Sequence, residues 1–262
     1  MKDDYYLDPR VAERYDRESP GQPGDVEFYA ALARDAAAAG HPVLELACGT
    51  GRVSIPIARE GIRVVGLDRS PAMLDVARRA SLDLDNVRWV EGDIADFDLP
   101  ERFGLVFIPF RSFLLLTTVA EQKSCLAAVR RHVVPGGRLA LNFFNPDLAV
   151  MGEWLTSRRG SLQSLSPLRD SASGHALRRW ATRSYGPADQ SLDEVRLEDE
   201  VDDAGAVISR VYRNLRLRYV FRFEMEHLLA LSGFTVEALY GWFDRTPFTN
   251  ASSEMVWLAR PV

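Results

Sequence analysis

Two glycines and three carboxylates, at fixed spacings, carry the chemistry legible in this chain. Residues 43–51 read Val-Leu-Glu-Leu-Ala-Cys-Gly-Thr-Gly, and a helix-like stretch follows over 52–60. An apolar run holding Glu45, then a loop with Gly49 and Gly51, then a helix start, is the order of a buried strand, a tight turn and a row of unpaired N–H groups. Glycine lets the chain turn sharply and lets a ligand approach without meeting a Cβ. Asp68 ends a second apolar run, Val64-Val65-Gly66-Leu67, 17 residues after Gly51. That is close to the roughly 20-residue spacing at which a nucleotide site places an acid on a ribose. A carboxylate there can accept both ribose hydroxyl protons. Capping of the helix that opens at Ser70-Pro71 is the plainer role, and both can hold. A third run, Trp89-Val90-Glu91, leads into Gly92-Asp93-Ile94.

Neither phosphate cradle fits this loop. A dinucleotide fingerprint needs Gly or Ala where Ser54 stands, and a P-loop needs Lys-Ser/Thr where Arg52-Val53 follows Gly51. The segment Glu-Leu-Ala-Cys-Gly-Thr-Gly instead resembles the first motif of the class I S-adenosylmethionine (SAM)-dependent methyltransferases, and Asp68 and Asp93-Ile94 fall where that family has its next two. The likeness covers about residues 40–150 well and the rest loosely. It implies SAM as cofactor, with S-adenosylhomocysteine as product. The implied surround is Tyr15, Glu45, Ala47, Cys48, Gly49, Gly51, Asp68, Arg69, Met73, Asp93, Ile94 and Phe110. Tyr15, with Tyr5 and Tyr6, would belong to a segment folded over the cofactor, as in related enzymes.

The catalytic group is open. Placing a nucleophile in line with the methyl group can suffice, so no base is required by the chemistry. Candidates are Arg111, in Phe110-Arg111-Ser112-Phe113 after the fourth strand, Asn145 after the fifth, His175 at the start of a later insert, and Tyr240. Arg111 could take a substrate carboxylate or phosphate, or be a surface residue. Asn142 and Asp147 flank Asn145, in a turn that needs no function to explain it. Tyr240, Trp242, Phe243 and Asp244 form an aromatic cluster of the kind that is mostly core, and Trp180 and Tyr185 could add apolar walls.

These residues need a frame. Strands over 43–47, 62–67, 87–91, 103–109 and 137–144 alternate with helices over 52–60, 71–79 and 119–134, with Pro135-Gly136-Gly137 as the last stop. Such alternation predicts a doubly wound, mostly parallel α/β sheet whose strand ends share one ligand edge. Residues 151–174 are serine-rich, Ser171 among them, and read as a mobile loop. Segments over about 175–186, 191–202 and 206–221 alternate and turn at Asp202-Asp203-Ala204-Gly205, which predicts an antiparallel insert. A helix over 223–231 and a hairpin over 234–239 and 253–259 close the chain. The family likeness implies a Rossmann-like sheet of seven strands with the insert as a β cap between strand 5 and the last helix, as in small-molecule methyltransferases, including those of amino sugars. The expected division is a lid segment (1–24), a SAM-binding core (25–150), a loop and cap (151–221) and a C-terminal helix and hairpin completing the core (222–262).

Composition narrows the partners. The 262 residues are 47% hydrophobic and 26% charged, which suits one large globular domain or a domain with a cap, and the net charge is −5 with no basic arm. That argues against nucleic-acid binding. The arginines from Arg210 to Arg222 alternate with apolar residues and read as one solvated strand face. Cys48 and Cys125 suggest neither a disulfide framework nor a metal site, and no two of the four histidines have ligand spacing, so no metal is expected. With no signal-peptide or membrane-length run, a cytoplasmic enzyme is expected, with a homodimer through the edge of the insert as a hypothesis. A Rossmann-type NAD(P)-dependent oxidoreductase is the alternative, weakened by Ser54 and by the lack of any Tyr-x-x-x-Lys. A non-catalytic SAM-binding module and a protein-substrate methyltransferase also remain open.

Overall fold

The structure is a computed structural model. It describes residues 5–170 and 173–262; Met1 to Asp4, Ser171 and Ala172, and the side chains of Tyr5 and Glu18, lie outside the described residues. The N-terminal segment holds α1 (Pro9–Glu18), opened by Asp8, whose side chain accepts from Arg10 N–H with Pro9 in the first turn. The core follows as α2 (Asp25–Ala38), β1 (Val43–Leu46), α3 (Ser54–Arg59), β2 (Val64–Asp68), α4 (Pro71–Ala80), β3 (Val87–Glu91), β4 (Phe103–Ile108), α5 (Val119–His132) and β5 (Val133–Phe144). Then come α6 (Leu148–Leu155), β6 (Gln163–Ser164), β7 (Leu168–Arg169), β8 (Ala176–Gly186), β9 (Ser191–Val201), β10 (Val207–Arg218), α7 (Arg222–Leu231), β11 (Phe234–Tyr240) and β12 (Glu254–Pro261).

Seven strands form one sheet in the order β11-β12-β5-β4-β1-β2-β3. The five from β1 to β5 are parallel, and β12 and β11 return antiparallel. Every residue of β1, β2 and β4 is buried, because helices cover both faces. The two-residue period of a strand divides these side chains. Val106 and Ile108 join a cluster with α5 and α7, while Leu105 and Phe107 pack under α2 and α3. Strand order reverses at β1, which is flanked by β2 and β4, so a crevice opens at their C-terminal ends. The class of fold expected from the sequence is the one found.

The cap is a second, antiparallel sheet in the order β10-β9-β8-β6, with β7 also on β8. It sits between β5 and α7 in the chain. Among the described residues no helix is long and apolar enough to cross a membrane.

Three local expectations fail. The polar stretch after residue 150 is not all loop: α6 forms because Asp147 accepts from Ala149 and Val150 N–H, and Met151 and Trp154 are buried. Pro135-Gly136-Gly137 does not precede the strand. It is a bulge inside β5, where pairing jumps from Phe103–Val133 to Leu105–Arg138 and Gly136 has φ +80°. Nor is the arginine face of β10 uniformly solvated, for Arg213 and Arg218 are buried and paired with Glu198 and Glu224.

Candidate active site at the strand ends

The glycine loop after β1 turns through three left-handed residues, Ala47, Gly49 and Gly51. The glycines serve different needs. A Cβ on Gly51 would lie 2.7 Å from the Trp89 ring and 2.9 Å from Ile55, so that glycine permits packing. A Cβ on Gly49 would meet only the Tyr15 ring, at 3.9 Å, so that glycine keeps the cavity wall open. Asp68, at the end of β2, accepts from Gly49 N–H and from Ser70 N–H, both at 2.8 Å. Burial pushes its carboxyl above the usual range despite those bonds. Ser70 is the helix cap, accepting from Met73 N–H at 3.2 Å. Asp68 is thus a strut of the loop, and it also lines the cavity.

Glu45 lies beneath the loop, off the cavity wall. Ser54 Oγ donates to its Oε2. Burial raises this carboxyl to about 8. Ser54, the residue that breaks the dinucleotide fingerprint, is where it is to satisfy Glu45. Cys48 is buried among Gly66 and Trp89 neighbours, and burial pushes its thiol up. Of the twelve residues expected round a cofactor, Tyr15, Ala47, Gly49, Asp68, Arg69, Met73, Asp93, Ile94 and Phe110 line one cavity, and Glu45, Cys48 and Gly51 do not.

The N-terminal segment closes one side. Thr50 Oγ1 donates to Asp16 at 2.5 Å, Ser70 Oγ to the Tyr6 carbonyl at 2.6 Å, and Tyr6 and Tyr15 meet edge to face. Arg52 grips Asp25 with two bonds, 3.0 and 2.7 Å, and lies over the Phe110 ring. Asp16 and Asp25 escaped the sequence reading because nothing local marks a partner 34 or 27 residues away.

After β4, Phe110 and Arg111 are consecutive left-handed residues, with φ 53° and 69°. Such backbone costs about 1–3 kcal/mol per residue and persists only where the surroundings enforce it. Asn142 enforces it: its Oδ1 accepts from Phe110 N–H (2.9 Å) and Tyr29 Oη (2.8 Å), and its carbonyl accepts from Arg111 N–H. Glu254 completes the network, accepting from Asn142 Nδ2 and from Arg111 Nε at 3.1 Å each. Arg111 does line the cavity, over the Phe144 ring, but its charge is answered by Glu254 rather than open to a ligand.

Asn145 also reaches the cavity, donating to the Ser252 carbonyl. His175 and Tyr240 do not. His175 bonds Glu200 at the start of β8, and Tyr240 packs edge-on to Phe28 on the α2 side of the sheet. Trp180 falls on the other face of β8, whereas Tyr185 lines the site. Further walls come from alternate positions absent from the sequence expectations: Arg183 on β8, Leu192, Glu194 and Arg196 on β9, Leu215 and Leu217 on β10, with Met151 from α6. The whole cavity measures about 520 Å³, within the range of small-molecule sites.

Residues 43–137 match the model of the methyltransferase domain family. The cypemycin N-terminal methyltransferase of a Streptomyces species is 37% identical over 107 residues, 41% of this chain and 43% of that one. The chain spans about half the length of the curated relatives it matches. Over nearly the whole chain, the CcbJ methyltransferase from Streptomyces caelestis superposes with a TM-score of 0.79 at 27% identity, covering 98% of each. SAM-bound CalS10, an amino pentose methyltransferase from Micromonospora echinaspora involved in calicheamicin biosynthesis, superposes at 0.67 with 25% identity, covering 96% of this chain and 97% of that one.

Proposed function

We propose that this chain, a class I SAM-dependent methyltransferase by domain and fold, moves a methyl group from SAM to a nitrogen or oxygen of a small molecule, amino sugars being one class to try first. The observation that carries this reading is the single cavity in which the glycine loop and the cap sheet face each other. The loop half fits SAM: Gly49 has no Cβ to bar a close approach, and Asp68 and Asp93 bring carboxylates to the ends of β2 and β3. Among the described residues the glycine loop forms no phosphate grip, and SAM needs none. When bound, SAM supplies an electrophilic methyl group on a sulfonium.

In this reading Asp68 accepts from the ribose hydroxyls and Asp93 with Ile94 borders the adenine. Tyr6 and Tyr15 cover the site and exclude water. Phe110, fixed by Asn142, sets the floor between the two halves. The cap holds the acceptor so that its nucleophile lies in line with the methyl group. Orientation of this kind contributes roughly 7–11 kcal/mol to rate in well-aligned reactions, without a catalytic base. A cytoplasmic setting belongs to the same reading, as does a homodimer through the open edge of β10, where Val207, Ile208 and Tyr212 are exposed.

Isothermal titration with SAM, with NADH and NADPH as controls, tests the assignment. Micromolar binding of SAM alone is the expected result. Binding of a dinucleotide in its place would overturn it. Light scattering that gave the mass of one chain at micromolar concentration would end the dimer part.

A further inference from the structure

The acceptor half of the cavity is walled by the cap, by α6 and by the loops after β4 and β5, and most of that wall is apolar. Leu192, Leu215 and Leu217 face it from β9 and β10, Phe144 from β5, and Val150 and Met151 from α6. The charged groups set into the cap and the β4 loop are turned to protein partners. Glu194 accepts from Arg183 Nε on one oxygen at 2.7 Å and from Arg196 Nε on the other at 2.5 Å. Arg111 is held by Glu254.

Asp147 differs from these. It lines the same cavity from the turn after β5, and its Oδ1 caps α6 by accepting from Ala149 N–H at 2.8 Å and Val150 N–H at 3.1 Å. Its Oδ2 has no donor among the described residues. Both oxygens of Glu194 are taken, so in this half Asp147 supplies the open carboxylate oxygen. Tyr185, on the cap wall, lies within reach of that charge: burial above all pushes its hydroxyl up, and the Asp147 carboxylate adds to the shift.

Two demands on the acceptor follow. A carboxylate oxygen only accepts, so the group that meets Asp147 must donate, and a cationic donor meets it best. The leucine and phenylalanine wall offers no hydrogen bond, so each hydroxyl pressed against it loses water without replacement. An amine on an apolar body meets both demands. A free amino sugar meets only the first.

We propose that the methyl acceptor is an amine on an apolar body, with Asp147 binding the nitrogen and the leucine wall of the cap taking the body. This rests on the methyl-transfer reading above and narrows it from nitrogen or oxygen to nitrogen. An amino sugar qualifies only when it is joined to an apolar group. Asp147 is specificity-determining: it selects the acceptor and orients its nitrogen, and it leaves the loop half of the cavity untouched.

The test uses three probes, benzylamine, its neutral isostere benzyl alcohol, and glucosamine, read by ligand-detected NMR on the chain saturated with S-adenosylhomocysteine. Benzylamine should bind at least fivefold more tightly than benzyl alcohol and at least tenfold more tightly than glucosamine. Asp147→Asn keeps Oδ1, and with it the cap of α6, but removes the charge. It should weaken benzylamine by roughly fivefold or more, a modest factor because Asp147 is exposed and shares its charge with water. Benzyl alcohol and S-adenosylhomocysteine should bind that variant as they bind the natural chain, which a merely structural role for Asp147 would not produce. Leu215→Ser should weaken benzylamine and benzyl alcohol together, by roughly threefold or more, through lost apolar contact. No binding of benzylamine, equal binding of benzylamine and benzyl alcohol, glucosamine binding as tightly as benzylamine, or an Asp147→Asn variant that weakens both benzyl probes alike or neither overturns the proposal. So does undiminished binding of both benzyl probes by Leu215→Ser. Failure of S-adenosylhomocysteine to bind the natural chain would instead remove the methyl-transfer reading.

Discussion

Gly49 N–H donates to Asp68 Oδ2 at 2.8 Å, so the acid at the end of β2 holds the glycine loop from below while lining the cavity above. Both oxygens already accept a backbone N–H, and each carboxylate oxygen keeps room for a second donor. Asp68→Ala is expected to weaken SAM binding by about 1.5–3 kcal/mol, the worth of hydrogen bonds to a charged group. Isothermal titration reads this directly. Unchanged affinity would reduce Asp68 to a strut.

The two glycines of the loop should fail differently. Both are left-handed, so an alanine at either carries about 1–2 kcal/mol of backbone strain. Gly49→Ala adds a methyl group that meets no protein atom closer than 3.9 Å, so it should fold, lose no more stability than that strain, and bind SAM at least tenfold more weakly. Gly51→Ala drives a methyl group into Trp89 and Ile55 and should lose several kcal/mol of stability. Urea denaturation beside SAM titration separates the two. Equal stability losses would contradict the division of labour.

Glu45 gives the stability a pH dependence of known sign. Its carboxyl titrates near 8 in the folded chain and at an ordinary glutamate's 4.5 unfolded, so the folded state holds the extra proton between those values. Stability from this group is full below about pH 4.5 and is lost as pH rises through about 8, by up to about 1.4 kcal/mol per pH unit. Glu45→Gln keeps an acceptor for Ser54 and cannot ionise. It should match the natural chain near pH 5 and exceed it at pH 8.5 in melting temperature. A difference between the two that does not change with pH would refute the assignment.

What the sequence exposed, and what it hid, follows from the range of the interactions. β1, β2 and β4 were legible because they are apolar runs ended by loops, buried on both faces. Asp68 and Asp93 were legible because their spacing is set by one strand–helix–strand repeat. Glu254 was not, standing 143 residues from Arg111. Nor were Arg183, Glu194 and Arg196, since polar residues that face a cavity break the apolar-in, polar-out pattern and read as a solvated side. His175 and Tyr240 were chosen for residue type, and topology carried them elsewhere. The helix α6 was masked by its short length and by an Asn-Pro-Asp turn that doubles as its cap.

The buried network behind Phe110 supports the last expectation. Asn142 is the shared partner of Tyr29 Oη, Phe110 N–H and Glu254, all of them held away from water at the junction of the two halves of the site. Asn142→Ala leaves Glu254 short of a donor and the Tyr29 hydroxyl without its acceptor. Each buried group so stranded costs about 1–3 kcal/mol. The left-handed turn at Phe110-Arg111 also loses its main side-chain support. The variant should lose about 2–4 kcal/mol in urea denaturation, and hydrogen exchange at residues 110–112 should speed up with little change in β1 or β2. A loss below about 1 kcal/mol, or unchanged exchange there, would mean that backbone packing alone holds the turn.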